Sequence, residues 1–221
     1  MSLVVRRHSS LASTQDVTRR LVQAGEAKPG CVVVADEQTE GRGRFGRTWL
    51  SPVGGLYATY VVDPHSLISL RAGMAATRAL AAYGVQADLK WPNDVLIADR
   101  KLAGILIETV ADAALVGIGL NVTGAPLETA ICLREVGCGA RRGELMVAIG
   151  EELGSVRPDG EILDAYRERL STLGRTVRVS MEDGTVIEGT AVDIDEAGRL
   201  LLETPYGCRP IASGECMHLV V

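Results

Sequence analysis

The chain has 221 residues, 47% of them hydrophobic and 23% charged, with a formal net charge of −5. It is long enough to bury a real core, as one domain or as one large plus one small, and too acidic for general binding to a phosphate backbone. Five cysteines without paired CxxC spacing exclude a disulfide framework and a zinc ribbon; no apolar run suits a signal peptide or reaches the roughly eighteen residues of a membrane span, so a soluble cytoplasmic protein without a membrane partner is expected.

Helix and strand signals alternate through the first three quarters, which predicts an α/β or α+β domain on a mostly antiparallel or mixed sheet. Residues 13–25, STQDVTRRLVQAG, predict a helix with Ser13 as N-cap, Val17, Leu21 and Val22 on one face and Gly25 as the stop. CVVVA (31–35) and LYATYVV (56–62) predict strands, and the alanine-rich stretch 69–84 a helix closed by Gly84. DVLIA, KLAGILIETV and AALVGIGLNV, parted only by DR and AD, predict adjacent antiparallel strands. Two helices follow at 143–153 and 160–171, the second with Ile162, Leu163, Tyr166 and Leu170 at helical spacing. From Arg175 the pattern is all β, with turns at Asp183-Gly184, Ala197-Gly198 and Tyr206-Gly207, a segment the size of an SH3-like barrel. The expected domains are therefore 1–173 and 174–221.

Three segments carry candidate chemistry. In GRGRFGR (41–47), glycines let backbone N–H groups turn toward a ligand, and Arg42, Arg44 and Arg47 offer forks for carboxylate or phosphate oxygens. The loop alone suits an RNA contact as well as a small-molecule site. Like-charged arginines on glycine hinges predict a segment that only a ligand orders. In KWPND (90–94), Lys90 sits at a strand end, where an ammonium can neutralise a carboxylate and an α-phosphate brought together, or be plain surface. In GIGLN (117–121), Gly117 and Gly119 share one strand face, open to something flat or simply to packing, and Asn121 offers a bidentate amide. Gly104 has the same ambiguity. The GxGxxG from Gly41 to Gly46 is not followed by a helix start, which removes a dinucleotide-binding reading, and no Walker loop, HExxH or GxSxG is present.

Together, STQD (13–16), EQTEGRGRFGRTWLSP (37–52), KWPNDVLI (90–97), RKLAGILIE (100–108) and GIGLNV (117–122) resemble, in order and spacing, the biotin protein ligases. The resemblance spans essentially the whole chain. It implies a mixed-sheet catalytic domain of the biotin/lipoate ligase type followed by a small SH3-like β-barrel. It implies activation of biotin by Mg2+-ATP to biotinyl-5′-AMP, then transfer to a lysine of a biotin carboxyl carrier protein, a subunit of acetyl-CoA carboxylase. The implied biotin site is Ser13, Thr14, Gln38, Gly41, Arg42, Arg44, Lys90 and Gly104. The implied ATP site is Arg42, Arg44, Arg47, Trp49, Lys90, Asn93 and Asn121, with Lys90 and Arg44 catalytic. Ligands for Mg2+ are not assigned, and the family contains both monomers and homodimers.

Two departures matter. The family's first motif commonly continues Ser-Thr-Asn, whereas Gln15 stands here, which puts a biotin contact from position 15 in doubt. Only twelve residues precede Ser13, too few for the winged helix-turn-helix of bifunctional members, so the monofunctional class and no DNA partner are expected. The rival enzyme reading is a lipoate or octanoate ligase or transferase of the related fold. A nucleic-acid-binding module is the rival of another class, weakened by one Phe and two Trp as stacking surfaces.

Overall fold

The structure is a computed structural model that describes residues 3–155 and 157–219. In chain order the elements are β1 (Val4–Leu11), α1 (Thr14–Gln23), β2 (Cys31–Gln38), β3 (Leu56–Val62), α2 (Ile68–Ala81), β4 (Asp88–Lys90), β5 (Asp94–Ile97), β6 (Arg100–Val110) and β7 (Ala113–Leu120). Then come α3 (Arg142–Leu153), α4 (Asp159–Arg169), β8 (Thr176–Ser180), β9 (Val186–Ile194), β10 (Leu200–Thr204), β11 (Gly207–Ile211) and β12 (Glu215–His218). No helix among the described residues is long and apolar enough to cross a membrane.

The first sheet has seven strands in the order β1-β2-β3-β7-β6-β5-β4. Only β1 and β2 run parallel; the other neighbours are antiparallel, so the sheet is mixed. Strand side chains alternate between faces, and β7 shows what each face does. Val116, Ile118 and Leu120 enter the main core with Val34, Tyr60, Met74 and Ile149. Ala113 and Leu115 point the other way and join Ala27, Cys31 and Val61, with Leu21 and Val22 of α1 packed against them. Helices α2, α3 and α4 thus cover one face, and α1 covers part of the other. Beyond α1, that second face continues into Gly117 and Gly119, where the absence of side chains leaves a trough.

Strand β3 is buried at all seven positions because both faces are covered, which explains a sequence that is apolar or aromatic everywhere but Thr59. Helix α1 starts as the sequence predicts: Ser13 is extended, and its Oγ accepts from the Asp16 N–H at 3.4 Å. The sequence did not announce β1. Its residues are mostly exposed and polar because it is an edge strand, and Arg6, Arg7 and His8 put charge along it.

The second sheet is antiparallel, in the order β11-β10-β9-β8-β12. That order leaves β11 and β12 as its two edges, so the segment in which the sequence leads one to expect a small SH3-like barrel forms a five-stranded antiparallel sheet. Its apolar face, including Val177, Ala191, Leu200 and Ile211, is continuous with the main core. The two sheets meet at Trp91, whose backbone N–H donates to Thr172 Oγ1 at 3.1 Å and whose indole N–H donates to Gly198 O at 3.3 Å. This contact brings the segment 214–216 to the open trough of the first sheet.

Candidate functional site

A cavity of about 330 Å³ lies over that trough. Helix α1 supplies Ser13, Thr14 and Gln15, the end of β2 supplies Gln38, and the β4–β5 turn supplies Lys90, Asn93 and Asp94. One wall is the arginine-rich segment and the other is Gly214 to Cys216 of the second sheet.

The floor is a hydroxyl and amide network. Gln38 Oε1 accepts from both the N–H and the Oγ1 of Thr14, at 2.8 and 3.1 Å. Gln38 Nε2 donates to Ser51 Oγ at 2.8 Å, and Ser51 Oγ donates to Trp49 O at 3.0 Å. Thr59 Oγ1 lies 2.9 Å from Thr14 Oγ1 and 3.1 Å from the amide of Gln15. All of Ser13, Thr14, Gln15, Ser51 and Thr59 are buried, so the network is shielded from water and geometrically defined.

The arginine segment is a hairpin. Gln38 pairs with Ser51 and Arg42 with Thr48, while Trp49 N–H donates to Gly41 O at 2.8 Å and Gly43 N–H to Arg47 O at 2.7 Å. Gly41 does not line the cavity; a Cβ there would lie 2.3 Å from Trp49 O, so only glycine permits this close pairing. The premise that these arginines have nothing to pack against is corrected here, because each has a protein partner. Arg42 Nη1 sits 2.6 Å from Asp16 Oδ1, and Arg19 bridges Asp16 to Glu108 beside it. Arg44 Nη1 donates to Asn93 Oδ1 and Gly214 O at 3.3 and 3.2 Å. Arg47 Nη1 is 2.5 Å from Glu215 Oε1. None of these partners is adjacent in sequence, which is why the string of arginines looked unsupported.

Gly104 of β6 lies opposite Gly119 across the ladder and extends the trough. The flat group on them is Trp49: a Cβ at Gly119 would lie 2.3 Å from its Nε1 and one at Gly104 2.9 Å from its ring. Gly117 makes the same room for Gln15, at 2.6 Å. Trp49 Nε1 is buried without a protein partner. Lys101 reaches over the same ring, 5.4 Å from its centroid, and pairs with Asp94 at 2.6 Å.

Lys90, half-buried at the end of β4, has no carboxylate within ion-pair reach among the described residues. Its positive charge is felt by two groups of the second sheet. Burial pushes the Cys216 thiol up to about 11, against the pull of Lys90. Burial lowers His218 to about 4, and Lys90 lowers it further in the same direction. Burial also holds Arg44 below the usual guanidinium value, opposed by Asp94.

The structure therefore brings Ser13, Thr14, Gln38, Arg42, Arg44, Arg47, Trp49, Lys90, Asn93 and Gly104 to one cavity. It does not bring Asn121 there. That side chain is 2% exposed, and its Nδ2 donates to Lys101 O and Ile131 O at 3.4 and 3.2 Å, so the amide ties β7 to the segment after it. Sequence reasoning missed Thr59, Asp94, Lys101 and Gly214 to Cys216. Gln15, whose role it doubted, lines the floor.

Residues 8–124 match the Biotin/lipoate A/B protein ligase family, and residues 172–219 match the Biotin protein ligase C terminal domain. The chain belongs to the biotin protein ligase family. Among curated members, the biotin–acetyl-CoA-carboxylase ligase of Mycobacterium tuberculosis is 35% identical over 211 residues, spanning 86% of this chain and 79% of that one. The bifunctional ligase/repressor BirA of Bacillus subtilis is 31% identical, over 94% of this chain and 72% of its own. The biotin protein ligase of Aquifex aeolicus, solved in complex with biotin and ATP, superposes with a TM-score of 0.84 at 30% identity, covering 96% of this chain and 97% of that one.

Proposed function

We propose that this family member activates biotin as biotinyl-5′-AMP with ATP and transfers it to a lysine of a biotin carboxyl carrier protein. The observation that carries the reading is the polarity of a single cavity. One end is a neutral network of the buried Thr14 and Thr59 with the half-buried Gln38; the other gathers Lys90, Arg44 and Arg47. A neutral ureido ring with a carboxylate at the far end of an apolar chain matches both ends, whereas lipoate would leave the polar floor unmatched.

In the first step a biotin carboxylate oxygen attacks the α-phosphorus, an acyl–phosphate bond forms and pyrophosphate leaves. Two anions must meet, and Lys90 and Arg44 offset their repulsion in a partly buried site where charge is weakly screened. Arg42 and Arg47, now paired with Asp16 and Glu215, can exchange those carboxylates for ligand oxygens. In the second step the carrier lysine's neutral Nζ attacks the acyl carbon and AMP leaves. Trp49 and the hairpin wall the anhydride from water. Among the described residues no three acidic, His or Cys side chains are placed to hold a metal. Mg2+ would thus arrive on the nucleotide phosphates, where one or two carboxylates suffice, and Asp94 and Glu215 line the cavity. Bound there, it would offset phosphate charge.

The proposal includes a catalytic segment 1–173 and a C-terminal segment 174–221 whose residues 214–216 complete the nucleotide end. The test is calorimetric titration with biotin and with lipoate. Tight biotin binding without lipoate binding supports the reading; the reverse preference overturns it.

A further inference from the structure

Without an ion pair among the described residues, Lys90 owes its position to the backbone that carries it. Strand β4 is three residues long and pairs with a strand on one side only, β5. On its outer side the two backbone groups that flank Lys90, the carbonyl of Leu89 and the N–H of Trp91, need partners of their own. The turn between α4 and β8 supplies both. Leu89 O accepts from the N–H and the Oγ of Ser171 at 2.8 and 3.0 Å, and Trp91 N–H donates to Thr172 Oγ1 at 3.1 Å.

Thr172 is fully buried, does not line the cavity, and has a single hydroxyl proton. Toward Trp91 N–H its oxygen accepts, so that proton is left for the other neighbour, His218 Nε2 of β12, 3.2 Å away. A buried hydroxyl proton without an acceptor is costly, which places the imidazole proton on Nδ1 and the lone pair on Nε2. Burial, then Lys90 and Arg175, lower His218 to about 4 against the pull of Asp99, so the ring is neutral and able to accept. The chain from Trp91 N–H through Thr172 to His218 thus joins the end of β4 to β12. The same end of the second sheet gives Gly214 O to Arg44 and Glu215 to Arg47. One buried hydroxyl stands between the backbone that carries Lys90 and the segment that anchors two arginines.

We infer that Thr172 is a positioning residue for adenylate formation: its hydroxyl, oriented by His218, fixes Lys90 relative to Arg44 and Arg47, the cations that meet the reacting carboxylate and phosphate. The inference rests on the reading of the cavity as the site of that step. Charge stabilisation of this kind depends on preorganised placement, and Lys90 and the arginines come from elements that touch through this junction. In Thr172→Val, Trp91 N–H loses its partner and the end of β4 can relax. The Trp91 indole keeps Gly198 O and Leu89 O keeps Ser171, so the two sheets stay joined.

The test is the first turnover of pyrophosphate release by the full chain with biotin and Mg2+-ATP, the maximal rate read apart from the half-saturating biotin concentration. Thr172→Val should lower the maximal rate about tenfold, less than the hundredfold of a full ångström of misplacement. Half-saturating biotin should stay within about twofold of the wild type, because the floor of Thr14, Gln38 and Thr59 belongs to other elements. Thr172→Ser, which returns the hydroxyl, should restore the rate to within about twofold. In a Lys90→Ala background Thr172→Val should cost no more than about twofold, since the group it positions is gone. If Thr172→Val does not fold, His218→Leu carries the test: it removes only the acceptor of the Thr172 proton and should slow the rate about threefold with Lys90 present and not in its absence. A folded Thr172→Val at the wild-type rate overturns the inference, as does an equal loss with and without Lys90, or a Thr172→Ser as slow as the valine; so does an unchanged rate in His218→Leu where the valine does not fold. A wild type that releases no pyrophosphate overturns the functional reading itself, whereas these outcomes overturn the inference alone.

Discussion

Gly119→Ala is the sharpest perturbation of the wall. The added methyl would lie 2.3 Å from Trp49 Nε1 and 2.4 Å from Cε2. Ordinary contact between such atoms is about 3.5 Å, so the indole must move off the sheet by about 1.2 Å. The clash is with a ring seated on two facing strands, and overpacking of this kind costs about 1–3 kcal/mol. For a chain of this size that lowers Tm by roughly 2–12 °C. The displacement does not stop at the ring. Trp49 N–H holds Gly41 O, and that pairing sets the hairpin that carries Arg42, Arg44 and Arg47. A misplacement of about 1 Å at a reacting centre costs about a hundredfold in rate. Pyrophosphate release with biotin and Mg2+-ATP, read beside thermal unfolding, measures both effects. Gly139→Ala, where nothing lies within 4 Å of the new atom, should change neither. Wild-type Tm and rate in Gly119→Ala would show that Trp49 does not lie on this strand, and the account of the wall would be wrong.

Lys90→Ala should slow pyrophosphate release about 10²–10³-fold, the usual loss when one preorganised charge stabiliser is removed; a wild-type rate would refute its role. Asn121→Asp sets a carboxylate against the carbonyls of Lys101 and Ile131. It should cost about 1–3 kcal/mol of stability and leave nucleotide affinity of the folded protein unchanged; a selective loss of affinity would restore Asn121 to the ligand site. His218 is held neutral, at about 4 against an ordinary 6.5. Between those values the unfolded chain binds a proton that the native chain refuses, so its contribution to stability is lost as pH falls from 6.5 toward 4. Thermal melts at pH 7 and 5 should show a smaller pH dependence in His218→Gln than in the wild type.

Much of this was legible in the sequence because the signals were local. Periodicity placed α1, α2, α3, α4 and the run β5 to β7, and the Ser13 cap marked where α1 begins. The glycines of β7 announced something lying close to the strand, though not what. Their neighbour is Trp49, some seventy residues earlier, and strand alternation cannot name a partner across that distance. The partners of the arginines were equally hidden, since Asp16, Asn93 and Glu215 lie in a helix, a turn and a strand far apart in the chain. Asn121 misled for the opposite reason: its polar amide beside a glycine strand looked available, and only the carbonyls of Lys101 and Ile131 show that its Nδ2 is occupied. The C-terminal strands were readable from their turns, but closure depends on whether the edge strands pair, which no local pattern encodes.

The central claim is that one cavity activates biotin's carboxylate and hands the acyl group to a carrier lysine. The direct measurement is to mix the protein with biotin, Mg2+-ATP and a purified biotin carboxyl carrier domain, and to read the carrier's mass. A gain of one biotinyl group, absent without ATP and absent when the carrier's target lysine is replaced by arginine, is the predicted result. An unmodified carrier, or a carrier modified by lipoate and not by biotin under the same conditions, would contradict it.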